Sequence, residues 1–300
     1  MRGNDWLVKL WRKSSKSNRW LSLAFLVLLG ICLVGIYWFN AVYQDTSRTF
    51  WAMVGNNLTT ASVVKKTSQQ NQSVVVDSYN QLTFNGRPVL LSLRQVTDSS
   101  TKPNSKLTLE AIGTEKADFQ RYSEIVRPSP NGKLIDYSQV YGIWLKTSTE
   151  DRPATLLVNS LFGPVIFGQL NYAQRMQLEE MLRKAYQPTY AGRTNIDGRL
   201  VYKYSVKVNM RAYTKVVQRY IDLIGFKGNS VSPESIPKDK SSNLTMNVDV
   251  KSRYLVKIVN NSNAGAKEDI MSYGIRKEVL PPSRISTVAD LQKAIQSASQ

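Results

Sequence analysis

Residues 21 to 39, LSLAFLVLLGICLVGIYWF, form a run of 19 residues without a charge. A helix rising about 1.5 Å per residue would carry this run across the hydrocarbon layer of a bilayer. Trp20 stands at one edge and Tyr37 and Trp38 at the other, where amphipathic rings settle at the water interface. Arg2, Lys9, Arg12, Lys13, Lys16 and Arg19 precede the run against Asp5 alone, whereas residues 40–60 carry only Asp45 and Arg48. An excess of cations on the near side holds that side in the cytoplasm. The expectation is a cytoplasmic basic tail over 1–20, a transmembrane signal anchor over 21–39, and export of the remainder.

Two other readings of the run were weighed. A cleaved signal peptide has a shorter apolar stretch, about 7–15 residues, and a small-x-small cleavage site; the exit sequence YWFNAVYQD has no such pattern. Lipid attachment at Cys32 needs a small residue just before the cysteine, and that position is Ile31, with Gly30 one place too early. An uncleaved, single-pass anchor fits every observation. Cys32 then behaves as a small hydrophobe within the span.

The residue inventory excludes much chemistry. The chain of 300 residues has one cysteine and no histidine. No intramolecular disulfide, Cys-rich metal cluster, Ser-His-Asp triad, Cys-His pair or His-ligated zinc is open to it. No nucleophile elbow or phosphate-binding glycine loop occurs. Glu179 and Glu180 are the obvious carboxylate pair, but adjacent helical residues diverge by about 100° and cannot converge on one bond; a solvated helix face accounts for them. The expectation is a protein without catalytic residues, cofactor or metal.

Beyond the span, alternation with period two dominates. In LTMNVDVK, Leu244, Met246, Val248 and Val250 share one face and Thr245, Asn247, Asp249 and Lys251 the other. In VYKYSVKV, Tyr202, Tyr204, Val206 and Val208 oppose Lys203, Ser205 and Lys207. Similar runs cover 72–84, 88–96, 106–113, 119–126 and 253–259. One solvated face per strand marks an antiparallel sheet. Helical spacing appears at 49–61, at 171–186 behind an Asn171/Gln174 capping pair, at 210–225 ending on Gly225, and from Thr287 with Asp290 completing the cap. The expected organisation is a juxtamembrane helix within 40–61, an extracytoplasmic antiparallel-sheet domain over 62–285, and a C-terminal helix over 286–300. The segment 228–243 reads as a mobile loop.

Two features point to partners. The exported part keeps a basic excess of +13, since six of the 40 cations and one of the 22 acids fall in the first 40 residues. A solvated surface ranks first as its meaning, an anionic envelope polymer or lipid headgroup second, and nucleic acid third. Arg211, Lys215 and Arg219 share one helical face and form the candidate basic surface. The 15 tyrosines include Tyr202, Tyr204, Tyr213 and Tyr220 on inward-looking faces. Core packing at the sheet–helix junction is one account of them. The other is an apolar ligand cavity lined by Tyr202, Tyr204, Val206, Val208, Tyr213, Val217, Tyr220, Met246 and Val248.

The order of elements in 195–285 resembles a known superfamily. A strand GRLVYKYSVKVNM, a helix, LTMNVDVKSRYLVKIV and a final strand EDIMSYGIRKEVLPPS follow one another, with Tyr273-Gly274 running to Pro281-Pro282. This is similar to the LolA/LppX-type lipoprotein and lipid carriers. The resemblance implies an α+β fold, a curved antiparallel sheet or half-barrel covered by helices, which holds an acyl chain or senses a lipoprotein without covalent chemistry. The segment 155–190 stands out as an insertion or enlarged lid. The leading expectation is thus a membrane-anchored, non-catalytic protein that holds or senses a lipid or lipoprotein-like apolar ligand. The alternative is a tethered envelope module whose basic surface grips an acidic polymer or a partner protein.

Overall fold

A computed structural model describes residues 16–39, 45–129, 132–149, 153–161, 163–226, 232–262, 265–274 and 278–298. The basic tail up to residue 15, residues 40–44 of the juxtamembrane segment, the opening of the 228–243 loop and residues 275–277 of the expected last strand lie outside these. The chain divides into two compact units, 1–49 and 50–300. The first contains helix α1 (Lys16–Trp38), in which Trp20–Trp38 is long and apolar enough to cross a membrane. Every described side chain of α1 is exposed. A helix apolar on all sides needs an apolar solvent.

Helix α2 (Thr46–Thr59) opens with the Arg48 N–H donating to the Asp45 carboxylate at 3.1 Å, an N-terminal cap. Phe50, Met53, Val54 and Leu58 are buried, at the spacing expected of one stripe. Asn57 lies on the same stripe, accepting from the Tyr273 hydroxyl at 2.9 Å. Its Asn-Leu-Thr sequon is therefore sealed in the core.

The second unit is built on eleven strands. The first meander comprises β1 (Ser62–Asn71), β2 (Val74–Thr83), β3 (Val89–Asp98), β4 (Ser105–Gly113), β5 (Asp118–Val126) and the short β6 (Leu145–Lys146). Helices α3 (Leu156–Leu161) and α4 (Tyr172–Ala185) follow, then β7 (Tyr186–Ile196), β8 (Arg199–Asn209), helix α5 (Met210–Ile224), β9 (Ser241–Asp249), β10 (Leu255–Ser262) and β11 (Gly265–Tyr273). Helix α6 (Val288–Ala298) ends the described chain. All neighbouring strands pair antiparallel in the order β6-β5-β4-β3-β2-β1-β11-β10-β9-β8-β7, an open sheet whose two meanders join where β1 meets β11. This is the α+β, unclosed antiparallel architecture that the alternation and the family resemblance led one to expect. The edge strand β7 carries Pro188 and a bulge at Gly192, both of which discourage further strand addition.

Helix ends follow local chemistry. Asn171 and Gln174 close the reciprocal capping box of α4, with bonds of 3.0 and 3.1 Å. The Asn209 side chain accepts from the Ala212 N–H at 2.9 Å, and Gly225 ends α5 at φ +68°. Thr287 and Asp290 cap α6 as their spacing predicts.

Two expectations change. The last strand does not run to Pro282: β11 stops at Tyr273, because Gly274 takes φ +76°. Val279 then packs on Ile112 and Phe119 against the outer face of the first meander, beside Trp144. The strands β1 and β7 were not marked by alternation alone, since the distal half of each is polar and exposed. Pairing with the more apolar strands β2 and β8 forms them.

Helices α4 and α5 pack on each other and on β7 and β8, and α3 packs on β3 and β4. These define the inner face of the sheet. Phe50 of α2 meets Tyr204 of β8 with ring centroids 5.2 Å apart. Gly113 has no room for a side chain, as a Cβ there would lie 2.9 Å from the Leu157 backbone nitrogen.

Candidate functional site

The segment 163–170, between α3 and α4, crosses the inner face as a strap without sheet pairing of its own. Three tyrosine hydroxyls tie it down. Tyr213 donates to the Gly163 carbonyl at 2.7 Å, Tyr186 to the Pro164 carbonyl at 2.8 Å, and Tyr220 to the Phe167 carbonyl at 2.6 Å. The N–H groups of Gly168 and Leu170 donate to the Asn57 and Leu58 carbonyls of α2 at 3.1 and 3.0 Å. Burial pushes the phenols of Tyr186, Tyr213 and Tyr220 above their ordinary range, so they stay protonated donors. At the other end, Asp118 of β5 accepts from the N–H groups of Thr155 and Leu156 at 2.8 and 3.1 Å, holding the start of α3. Within the 155–190 segment, α3 and the strap thus form a cover pinned at both ends, whereas residues from Tyr186 onward belong to strand β7.

Beneath the strap lies an apolar chamber. Val63, Leu82, Ile258 and Met271 come from the sheet, and Val165 and Phe167 from the strap. Lys65, Asn80, Ser160 and Asp269 line it as well, with Gly163 and Pro164 of the strap. The free cavity is about 20 Å³, room for about one water. The strap side chains themselves fill the space.

Strand register shows how the inner face continues beyond the strap. Its first row, Tyr273–Val63–Leu82–Leu90–Gly113, lies at the covered end. The next two rows are polar at their centres: Met271–Lys65–Asn80–Ser92–Ala111, then Asp269–Thr67–Ser78–Arg94–Leu109. The fourth, Val76–Val96–Leu107–Ile125, is apolar again. Its members are half-buried except Leu107, which is 38% exposed. From Leu82 to Val76 the face runs about 20 Å at about 3.3 Å per residue. Burial lowers the Lys65 pKa, and the nearby Asp269 carboxylate offsets part of that.

Of the nine residues expected to line a cavity, all but Val217 are buried, and Val217 is half-buried. Tyr202, Tyr204, Val206, Val208, Met246 and Val248 form adjoining rows on β8 and β9, and Tyr213, Val217 and Tyr220 lie on α5. Tyr204 packs on Phe50, and Tyr213 stacks on Tyr186 with centroids 5.7 Å apart. Val208 and Tyr213 also line a cavity of about 190 Å³ beside Gly163 and Pro164. The basic trio is split in its bonding. Arg211 donates to the carbonyls of Pro233, Glu234 and Ile236, and Arg219 to the Gln177 side chain at 3.1 Å, while Lys215 is exposed.

Lys65, Asp269, Phe167 and the fourth apolar row were not singled out from sequence. A hint existed in SVVKKT, where Val63 and Lys65 share a face. Nothing local shows that Met271 and Asp269 lie beside them.

No protein-family model and no curated protein sequence matches the chain. Solved structures do resemble it. LprF from Mycobacterium bovis superposes with a TM-score of 0.41 at 13% identity, over 80% of this chain and 96% of that one. The Mycobacterium tuberculosis lipoprotein LppX gives a TM-score of 0.30 at 13% identity, over 75% and 91%. MucB gives 0.30 at 9% identity, over 78% of this chain and 62% of MucB.

Proposed function

We propose that this chain is a membrane-tethered, non-catalytic binding protein whose sheet domain takes an acyl chain on its inner face. The observation that carries the reading is the apolar row Val76–Val96–Leu107–Ile125 beyond the strap, where Leu107 is exposed, Val76 and Val96 are half-buried, and Ile125 packs on Tyr137, Val140 and Leu291. Monomeric proteins seldom leave such a patch to water without a use for it. Covering it gains about 25 cal/mol per Å² of apolar surface removed from water. On this reading the first apolar helix is an uncleaved signal anchor with its N-terminus in the cytoplasm, and the domain works at the outer face of the membrane. The guanidinium of Arg211 is occupied by three carbonyls, which weakens the alternative of a basic gripping surface.

The test is solvent extraction of purified full-length protein after exchange into a lipid-free surfactant. Stoichiometric acyl lipid should be recovered from the wild type, and Leu107→Asp should reduce it without altering the unfolding transition. Equal recovery from both proteins, or none from either, would reject the reading.

A further inference from the structure

The two polar rows of the inner face interrupt an otherwise apolar surface, and their charges do not cancel. Thr67 sits opposite Asp269 and donates to its carboxylate at 2.6 Å. Lys65 sits opposite Met271, so Asp269 is its diagonal neighbour, a separation of about 7–8 Å between backbones. Among the described residues no carboxylate comes within ion-pair distance of Lys65. Arg94 projects from the same face two strands away, exposed, in the row Asp269–Thr67–Ser78–Arg94–Leu109. At about 4.8 Å per strand and about 3.3 Å per residue, Lys65 and Arg94, two strands and one row apart, stand about 12 Å from each other, and both side chains are long enough to reach one anion between them. Lys267 lies on this face as well, on the far side of Asp269. Lys65 and Lys267 therefore flank one carboxylate already engaged by a hydroxyl, and Arg94 adds a third cation three strands away from it. Asn80 lies between Lys65 and Ser92 in the upper row.

We propose that this polar island, Lys65 and Arg94 with Asn80, Ser78 and Ser92, binds the phosphate of an anionic lipid headgroup beside the apolar row Val76–Val96–Leu107. The assignment rests on the acyl-binding reading and narrows its ligand. The chain would lie along Val76, Val96 and Leu107, on the open side of the island. The phosphate would then meet Arg94 first, with Lys65 behind it. A cation left partly dehydrated among apolar side chains gains more from such a partner than it would in water.

The experiment uses full-length protein in detergent micelles seeded with photoactivatable phosphatidic acid or with diacylglycerol bearing the same chains, followed by mapping of labelled peptides. Phosphatidic acid should label β2–β4 about tenfold more than diacylglycerol. Lys65→Gln should bring the two lipids close to parity while diacylglycerol labelling persists, which also reports an intact fold. Lys65→Arg should keep the preference. Equal labelling of wild-type strands by the two lipids, or an unchanged preference in Lys65→Gln, overturns the headgroup site and leaves acyl binding standing. No labelling of these strands by either lipid overturns both. Inorganic phosphate in large excess should leave the preference in place; if it abolishes the preference, the site serves the free ion and the lipid assignment falls.

Discussion

The hydroxyl of Tyr220, on α5, donates to the backbone carbonyl of Phe167 at 2.6 Å, across 53 residues of chain. That bond fixes the middle of the strap, and Gly168 is packed so closely on the same phenol that a Cβ would lie 3.1 Å from its oxygen. Removing the hydroxyl leaves a buried carbonyl without its donor, at a cost of about 1–3 kcal/mol. Tyr220→Phe should lower the denaturation midpoint accordingly. Amide exchange should rise at Gly168 and Leu170 while β8 and β9 stay protected; unchanged exchange in the strap would show that the bond does not hold it.

Alkaline stability follows from the same tyrosines. Tyr186, Tyr213 and Tyr220 titrate above their unfolded value of about 10 because burial disfavours the phenolate. The unfolded chain therefore loses protons first as pH rises, and stability falls with pH in that range. Their contribution should be full below about pH 10 and decline above it. Denaturation midpoints measured from pH 7 to 11 should be flat and then drop, and the triple Tyr→Phe variant should start lower and show a shallower drop.

Gly113 is a steric requirement of the cover. Gly113→Val would drive its side chain into the Leu157 backbone, where even a Cβ is 2.9 Å away. Displacing α3 should cost about 1–3 kcal/mol and expose 155–161 to protease. A variant of wild-type stability and protease resistance would contradict this packing.

Phe50 anchors α2 against Tyr204 and Tyr186, with centroids at 5.2 and 6.3 Å. Phe50→Ala should destabilise the sheet domain by about 3–5 kcal/mol, read by chemical denaturation. A loss under about 1 kcal/mol would mean that the site collapses without a cavity.

The membrane reading is open to a direct check. Protease added to intact cells should remove the sheet domain and leave a membrane-held stub that retains Cys32. Protection of the bulk of the chain would reverse the proposed orientation.

Much of this architecture is legible in one dimension. The uncharged run at 21–39, the alternation in β8 and β9, and the caps at Asn171, Gly225 and Thr287 all rest on interactions within a few residues. Such signals survive without knowledge of the fold. The inward-looking faces of Tyr213 and Tyr220 were legible; that these two, with Tyr186, serve as hydrogen-bond donors to the strap was not, because their acceptors are backbone carbonyls 22 to 53 residues away.

The inner face itself belongs to the tertiary structure. Period two states which residues of one strand share a face, but not which strand lies alongside. Lys65 meets the surroundings of Asp269 only because β1 pairs with β11 in one particular register, bringing together residues about two hundred positions apart. A slip of one residue would turn Lys65 to the opposite face and replace it with Lys66. The sequence alone determined that an apolar helix precedes an antiparallel sheet. The long-range pairing decided where its cations, its apolar rows and the strap come together.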